Sequence, residues 1–134
     1  MLSAHAALPV LAVTDMDKAR SFYEGTLGFS SVGDMPEGVV YRTSNGGFLV
    51  YPSSFAGTNK ATAITFQVPG DAFDAEIDAL RTAGVTFQTF DMPGDATWTD
   101  GVLSDADGSM RSVWFADPDG NILNVETDAS VATG

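Results

Sequence analysis

The sequence of 134 residues contains no cysteine and a single histidine, His5. The lack of cysteine excludes disulfides, thiolate nucleophiles and sulfur-ligated zinc. Without a Gly-x-Ser-x-Gly motif or a histidine beyond residue 5, a hydrolytic triad cannot be assembled. Long apolar runs are absent too, so we predict neither a membrane span nor a secretion signal, and the expected location is the cytoplasm.

Basic residues are also scarce, with 6 Lys and Arg against 18 Asp and Glu and a formal net charge of -12. This charge disfavours nucleic acids and anionic membrane surfaces as partners and favours cationic ones. No glycine-rich phosphate loop is present, which removes nucleotides from the expected ligands. The alternative interpretation is that the charge serves solubility alone.

The first half of the chain predicts a strand, a helix and three further strands. Apolar residues at helical spacing follow a short β-rich run, with Thr14 or Asp15 as the helix cap. The dipeptide Asn45-Gly46 is typical of hairpins because both residues tolerate positive φ. The expected elements are a strand at 7–14, a helix at 15–27, a strand at 29–35 and two strands around Asn45-Gly46.

The second half repeats this order after a polar joint at 53–60. A helix capped by Asp71 follows the first strand, and a Gly/Asp-rich loop at 93–109 separates the later strands. The expected elements are a strand at 61–68, a helix at 71–83 and strands at 85–92, 110–116 and 121–127. We therefore predict one α+β domain over 1–134, with eight strands in two βαβββ modules at about 5–53 and 61–128.

Three stretches carry a family resemblance: "LPVLAVTDMDKARSFYEGTLGF", "AITFQV" and "FADPDGNILNVE". In this order they resemble the vicinal oxygen chelate superfamily, which contains glyoxalase I, extradiol dioxygenases, fosfomycin-modifying enzymes and bleomycin-binding resistance proteins. The resemblance implies a cupped mixed sheet around a small-molecule cavity, with the helices on its outer face. It also implies a homodimer.

The resemblance allows the metal-ligand positions of the family to be compared with this chain. Metal-dependent members place His or Glu on four strands, and the matching positions here hold Leu8, Val50, Ala63 and Asn124. Methyl groups cannot coordinate, and one amide oxygen does not hold a divalent cation against water. His5 is expected to be a solvated terminal residue. The sequence therefore predicts no metal and no cofactor.

Strand periodicity then separates two faces. Leu8, Val10, Ala12 and Thr14 share one face, as do Ala63, Thr65 and Gln67 on the next strand and Ile122, Asn124 and Glu126 on the last. These faces should line the cup, where polar groups on an apolar wall are typical of small-molecule pockets. The other set should pack under the helices: Leu11, Val13, Ile64, Phe66, Val68, Leu123 and Val125.

Aromatic residues near strand ends and loops add to the candidate site. They are Phe48, Phe55, Phe90, Trp98 and Trp114. Trp98 lies in the predicted loop, where a large ring has little reason to serve the core. Ligand stacking, a dimer contact and packing within the loop all remain open for it.

The candidate ligand-binding residues are Phe48, Val50, Thr65, Gln67, Trp98, Trp114, Asn124 and Glu126. We predict a metal-independent protein that binds a small aromatic or cationic molecule, similar to the bleomycin-binding branch of the family. The alternative is a glyoxalase-like lyase, isomerase or dioxygenase with an atypical metal site. A third possibility is a domain that only mediates contacts.

Overall fold

The order of one strand, one helix and several further strands occurs twice along the chain in the computed structural model. The structure describes residues 1–35, 38–91 and 94–127. The repeated order gives the predicted α+β fold of two βαβββ-like modules. The helices are a short 3₁₀ helix (Leu2–Ala4), α1 (Met16–Arg20), continued by a π-helical segment (Ser21–Thr26), and α2 (Phe73–Thr82). The strands are β1 (Val10–Val13), β2 (Ser31–Met35), β3 (Gly38–Thr43), β4 (Gly46–Pro52), β5 (Thr62–Val68), β6 (Thr97–Thr99), β7 (Val102–Ser104), β8 (Arg111–Ala116) and β9 (Ile122–Thr127).

The described residues form two compact units, each with its own sheet. The first unit consists of 1–63 together with the short segment Asp117–Asn121. The second consists of 64–116 and 122–127, within the described ranges. No helix in the described ranges is both long enough and apolar enough to span a membrane.

The first unit contains a four-stranded sheet in the order β1-β4-β3-β2, with β1 parallel to β4. Alternate residues of β1, β3 and β4 are buried, as period two requires. The buried set is aromatic at its centre and includes one residue of α1 and one of the π-helical segment: Leu11, Val13, Ala19, Tyr23, Val39, Tyr41, Phe48 and Val50. The predicted burial of Leu11 and Val13 is therefore confirmed.

Helix α1 begins where the sequence predicts it. The Asp15 carboxylate accepts hydrogen bonds from the backbone N–H groups of Asp17 and Lys18, at 2.9 and 3.3 Å. It thereby satisfies two donors that the first helical turn leaves free. The helix then widens into the π segment, in which the Leu27 N–H bonds to the Phe22 carbonyl at 2.9 Å, and Gly28 follows with a φ of 79°.

The second unit contains a five-stranded sheet in the order β5-β9-β8-β7-β6. Phe73 and Ile77 of α2 are buried, as their spacing predicts. The predicted cap at Asp71 is wrong, because the helix begins after Ala72, which makes no side-chain cap bond. The Ala72 N–H instead bonds to the Pro69 carbonyl at 2.9 Å, so a turn over these residues precedes the helix.

Two expectations about the region 85–109 are wrong. Among its described residues, the predicted strand at 85–92 has only one β-bridge, from Gln88 to Trp114. The predicted loop instead contains the hairpin β6–β7, which raises the strand count in the described part of the chain to nine. Its two-residue turn, Asp100-Gly101, has φ values of 51° and 82°, the pattern of a type I′ turn.

The β3–β4 hairpin also turns one position earlier than its dipeptide suggests. Thr43 pairs with Gly46, so the turn consists of Ser44 and Asn45. Neither residue has a positive φ. The tolerance of Asn45-Gly46 for positive φ is therefore not used here, although the two predicted strands are present.

The Asp-Pro-Asp-Gly-Asn turn does more than close the β8–β9 hairpin. Its Asp117 is 5% exposed and accepts four hydrogen bonds of 2.8–2.9 Å, from the Tyr23 hydroxyl, the backbone N–H of Asp119, and the backbone N–H and Nδ2 of Asn121. Asn121 Nδ2 also donates to the Ala12 carbonyl at 2.8 Å. The turn is thereby anchored to β1 and the π segment of the first unit.

We expect Tyr23 to make stability fall at alkaline pH. Burial, together with the Asp117 carboxylate, raises the pKa of Tyr23 above its ordinary value of 10.0. The stabilisation is fully present below pH 10 and is lost as the pH rises further, because only the unfolded chain then ionises this phenol. One proton corresponds to about 1.4 kcal/mol per pH unit.

Urea unfolding at pH 8 and pH 11 measures this effect. The wild-type protein should lose more stability across the interval than the Tyr23→Phe variant, which has no phenol to ionise. Tyr51→Phe serves as the control, because Tyr51 is only half-buried and makes no hydrogen bond to Asp117. Equal losses in the wild type and Tyr23→Phe would contradict the prediction.

Candidate functional site

One face of the second unit's sheet brings together most of the predicted site residues. Trp114 pairs with Asn124 and Ser112 pairs with Glu126 across β8 and β9, and residues directly opposite each other point to the same side. The register continues through Leu103, which pairs with Ser112 and with Trp98 on β6. We call this surface the tryptophan face and define it as Gln67, Trp98, Ser112, Trp114, Asn124 and Glu126.

Three aromatic rings form a cluster at this face. The Phe90 centroid lies 5.3 Å from that of Trp98 and 4.9 Å from that of Trp114, and the two tryptophans are 6.0 Å apart. All three pairs are edge-to-face, with interplanar angles of 62–77°. Because the rings touch, a ligand cannot fit between them and would have to stack on their outer surfaces.

A hydrogen bond holds the cluster in one arrangement. Trp98 Nε1 donates to the Phe90 carbonyl at 3.1 Å, which ties β6 to the segment before it. Phe90 is 44% exposed, and both tryptophans are half-buried. Apolar ring surface therefore remains accessible on rings that the hydrogen bond and the ring contacts hold in place.

A carboxylate lies on the same face. Gln67 Nε2 is 3.5 Å from Glu126 Oε1, which is a long and therefore weak hydrogen bond. Within the described residues, Glu126 forms no ion pair with a Lys, Arg or His side chain. The half-buried carboxylate thus retains acceptor sites and an uncompensated charge. Thr65, two residues before Gln67 on β5, is exposed.

Asn124, the amide within an apolar run, is 3% exposed. Its Nδ2 donates to the Val113 carbonyl on the neighbouring strand at 3.0 Å. The buried amide group is therefore satisfied, and the donor identity fixes its orientation because a carbonyl can only accept. Asn124 is thus oriented by the sheet itself.

Two predicted site residues lie elsewhere. Phe48 and Val50 belong to the first unit, and each is 0% exposed. Phe48 packs in the aromatic core, with its ring 5.6 Å from Tyr23 and 5.5 Å from Tyr41. Val50 pairs with Leu11 and Val39 of the same core. Neither side chain is accessible, so neither forms part of the tryptophan face.

Sequence reasoning named Phe90 only as one of several aromatics and missed Ser112 and Leu103. The signal for their placement was the Asp100-Gly101 dipeptide. A two-residue turn at that point pairs Trp98 with Leu103, and the same register then reaches Ser112.

The residues at the family's metal positions do not fit a metal ion. Leu8, Val50 and Ala63 offer no side-chain donor atom, and the single amide oxygen of Asn124 does not hold a divalent cation against water. In the portion of the chain that the structure covers, no three His, Cys, Asp or Glu side chains are grouped so that they could hold a metal. We therefore derive no chemistry through a metal at these positions.

The model of the Glyoxalase/Bleomycin resistance protein/Dioxygenase superfamily matches residues 3–125, and the chain belongs to this superfamily. Its members bind or convert small molecules. No curated protein sequence matches the chain significantly.

Solved structures with a similar fold cover nearly the whole chain. The fosfomycin resistance protein FosX from Listeria monocytogenes superposes with a TM-score of 0.67 at 14% identity, over 93% of each chain. A glyoxalase/bleomycin resistance protein/dioxygenase from Alicyclobacillus acidocaldarius gives 0.68 at 14%, over 95% of each chain. Lactoylglutathione lyase from Agrobacterium tumefaciens gives 0.67 at 17%, over 91% of this chain and 92% of its own. Such identities show a common fold.

Proposed function

We propose that this protein is a metal-independent small-molecule-binding protein whose ligand is an aromatic or cationic compound held on the tryptophan face. The observation that carries the proposal is that an accessible aromatic cluster shares one face of one sheet with the Glu126 carboxylate, which forms no ion pair within the described residues. Aromatic rings attract both flat and positively charged groups, and a carboxylate favours the charged ones.

The arrangement suits such a ligand physically. A flat ring stacked on Trp98 or Phe90 displaces water from apolar surface without requiring new order, since the edge-to-face contacts already hold these rings. A positive group near Glu126 would meet an uncompensated charge. The net charge of -12 adds a general attraction for cations.

A thermal-shift screen of the full chain tests the proposal. The informative probes are matched pairs such as N-methylquinolinium and quinoline, which differ in charge but hardly in shape. A ligand at a hundredfold excess over its Kd stabilises the folded state by about 2.7 kcal/mol. Stabilisation by the cation and a smaller effect of the neutral partner support the proposal, whereas no response to any aromatic or cationic probe contradicts it.

Elemental analysis of the purified protein separates this function from the enzymatic alternative. The proposal expects no stoichiometric nickel, zinc, iron or manganese. A stoichiometric metal would favour a glyoxalase-like lyase, isomerase or dioxygenase with an atypical ligand set, a chemistry that the donor-poor positions Leu8, Val50 and Ala63 do not support.

We further propose that the two modules, at about 5–53 and 61–128, form one domain that pairs as a homodimer in the cytoplasm. Small modules with exposed strand edges gain from such pairing. Sedimentation at micromolar concentration should give a species of twice the 14.0 kDa chain mass. A 14.0 kDa species would contradict the dimer while leaving the ligand proposal standing.

Replacing Trp98 by alanine should weaken binding of the aromatic cation by about 0.5–2 kcal/mol, or roughly 2- to 30-fold in Kd. The reason is the loss of ring surface on which the ligand stacks. Calorimetric titration with N-methylquinolinium measures it, and Phe55→Ala is the matched control because Phe55 is 76% exposed and belongs to the first unit. Equal affinities of the two variants would count against stacking at Trp98.

A further inference from the structure

A groove of about 360 Å³ lies on the first unit, on the sheet face opposite the aromatic core. The segment before β1 forms one side, and β2, β3 and the turn after β3 form the other. We call it the Arg42 groove; its lining residues are Ala6, Ala7, Leu8, Val32, Val40, Arg42, Thr43, Ser44, Gly46 and Gly47.

The floor of the groove is bare backbone. Arg42 pairs with Gly47 across β3 and β4. On the other side of β4, Val10 pairs with Leu49, so the parallel register places Leu8 level with Gly47. Glycine is required here, because a Cβ at Gly47 would lie 2.5 Å from the Tyr41 carbonyl oxygen. A gap without a side chain therefore separates Leu8 from Arg42.

The sides of the groove are apolar and accessible. Leu8 is 45% exposed and Val32 is 48% exposed, while Val40 between them in the sheet is half-buried. These are large exposures for branched aliphatic side chains, which are usually buried. A hydrocarbon group lying in the groove would remove this surface from water.

Arg42 differs from the other three arginines of the chain. Arg20 pairs with Glu24, Arg111 pairs with Asp74, and Arg81 donates to the Asp100 carbonyl and lies over the Phe87 ring. Within the described ranges, Arg42 makes no ion pair or hydrogen bond through its side chain. Acidic residues outnumber basic ones by 18 to 6, so an unpaired guanidinium is not the result of a shortage of partners.

We propose that the Arg42 groove binds a small organic carboxylate with an apolar body. The carboxylate would accept two parallel hydrogen bonds from the planar guanidinium, the geometry that arginine forms best. Thr43 and Ser44, whose hydroxyls can also donate, follow Arg42 directly and line the same groove. The hydrocarbon part lies against Leu8, Val32 and Val40.

The charge balance favours a monocarboxylate over a more highly charged anion. A single guanidinium neutralises one negative charge, whereas a phosphate dianion would add uncompensated charge to a chain that already carries -12. The apolar sides contribute nothing to a small inorganic ion. Octanoate therefore has both a carboxylate for Arg42 and a hydrocarbon chain for the apolar sides. Acetate and phosphate have no hydrocarbon chain that could cover those sides.

NMR titration of the ¹⁵N-labelled full chain tests this site. The titrants are octanoate, octanamide, acetate and inorganic phosphate. Octanoate should saturate and shift the amide signals of Ser44, Gly46 and Gly47. Octanamide, which keeps the body but lacks the charge, and acetate, which keeps the charge but lacks the body, should each bind at least about tenfold more weakly. Phosphate should not saturate.

Two substitutions make the result specific. Arg42→Gln should weaken octanoate binding at least about tenfold. Lys60→Gln, which removes the same charge from the same unit outside the groove, should leave it unchanged. Equal affinity of these variants, equal binding of octanoate and octanamide, or the lack of saturation by octanoate would overturn the proposal. Trp98→Ala should not alter octanoate affinity, so this site and the tryptophan face can fail independently.

Discussion

Replacing Asp117 by alanine is expected to lower the free energy of unfolding by about 3–5 kcal/mol. The carboxylate accepts four hydrogen bonds, and its removal leaves the buried Tyr23 hydroxyl and both nitrogen donors of Asn121 without this acceptor. Each buried donor that loses its partner costs about 1–3 kcal/mol, and the costs are not additive. Chemical denaturation at pH 7 measures the change.

Two variants place that value in context. Asp117→Asn keeps the shape and one acceptor oxygen, so its stability should fall between those of the wild type and Asp117→Ala. Asp95→Ala removes an equal charge from an exposed loop and should change stability by less than about 0.5 kcal/mol. If Asp117→Ala were no more destabilised than Asp95→Ala, the turn would not anchor β1 as described.

Replacing Glu126 by glutamine should weaken binding of N-methylquinolinium by about 1.5–3 kcal/mol, or roughly ten- to hundredfold in Kd. The substitution preserves shape and removes the charge that would face a cation. Calorimetry at low and high salt measures both the loss and its screening. The wild-type affinity should fall with salt more steeply than that of the variant.

Glu76→Gln is the matched control, because Glu76 is exposed on α2 of the same unit. It changes the net charge by the same amount without touching the tryptophan face. A loss of affinity shared equally by Glu76→Gln and Glu126→Gln would mean that the net charge, rather than one carboxylate, attracts the ligand.

Much of the fold was predictable because its signals are local. Asp15 caps the first helix through bonds to residues two and three positions ahead, and Phe73 and Ile77 share a helix face by spacing alone. The period-two pattern also separated the buried Leu11 and Val13 from exposed neighbours such as Val10. These features depend on a few consecutive residues.

The errors arose where distant contacts outweigh local preference. Residues 85–91 have the β-branched and aromatic composition of a strand, yet among them only Gln88 forms a β-bridge, to Trp114. The hairpin at Asp100-Gly101 was overlooked because its strands have three residues each and lie in a segment rich in Gly and Asp. The many Gly and Asp residues of this segment made Asp100-Gly101 resemble part of a loop rather than a two-residue hairpin turn.

The candidate site was predictable in part for the same reason. Alternation along β9 placed Asn124 and Glu126 on one face, and the register confirms that Trp114 shares it. Val50 was assigned to a metal-ligand position of the family by matching sequences, and such a match does not fix the register of a strand. A shift of one residue reverses the face of a strand, and here Leu49, not Val50, pairs with Val10 and Val40. Phe48 was nominated from its position near a strand end, which says nothing of burial.

The most direct measurement is calorimetric titration of N-methylquinolinium into the protein after exhaustive treatment with EDTA, repeated with added nickel, zinc, iron(II) or manganese. Metal-independent binding on the tryptophan face predicts the same saturable affinity in every case, and a weaker affinity in the Glu126→Gln and Trp98→Ala variants. Binding that appears only when a metal is added, or that is unchanged in both variants, would contradict it.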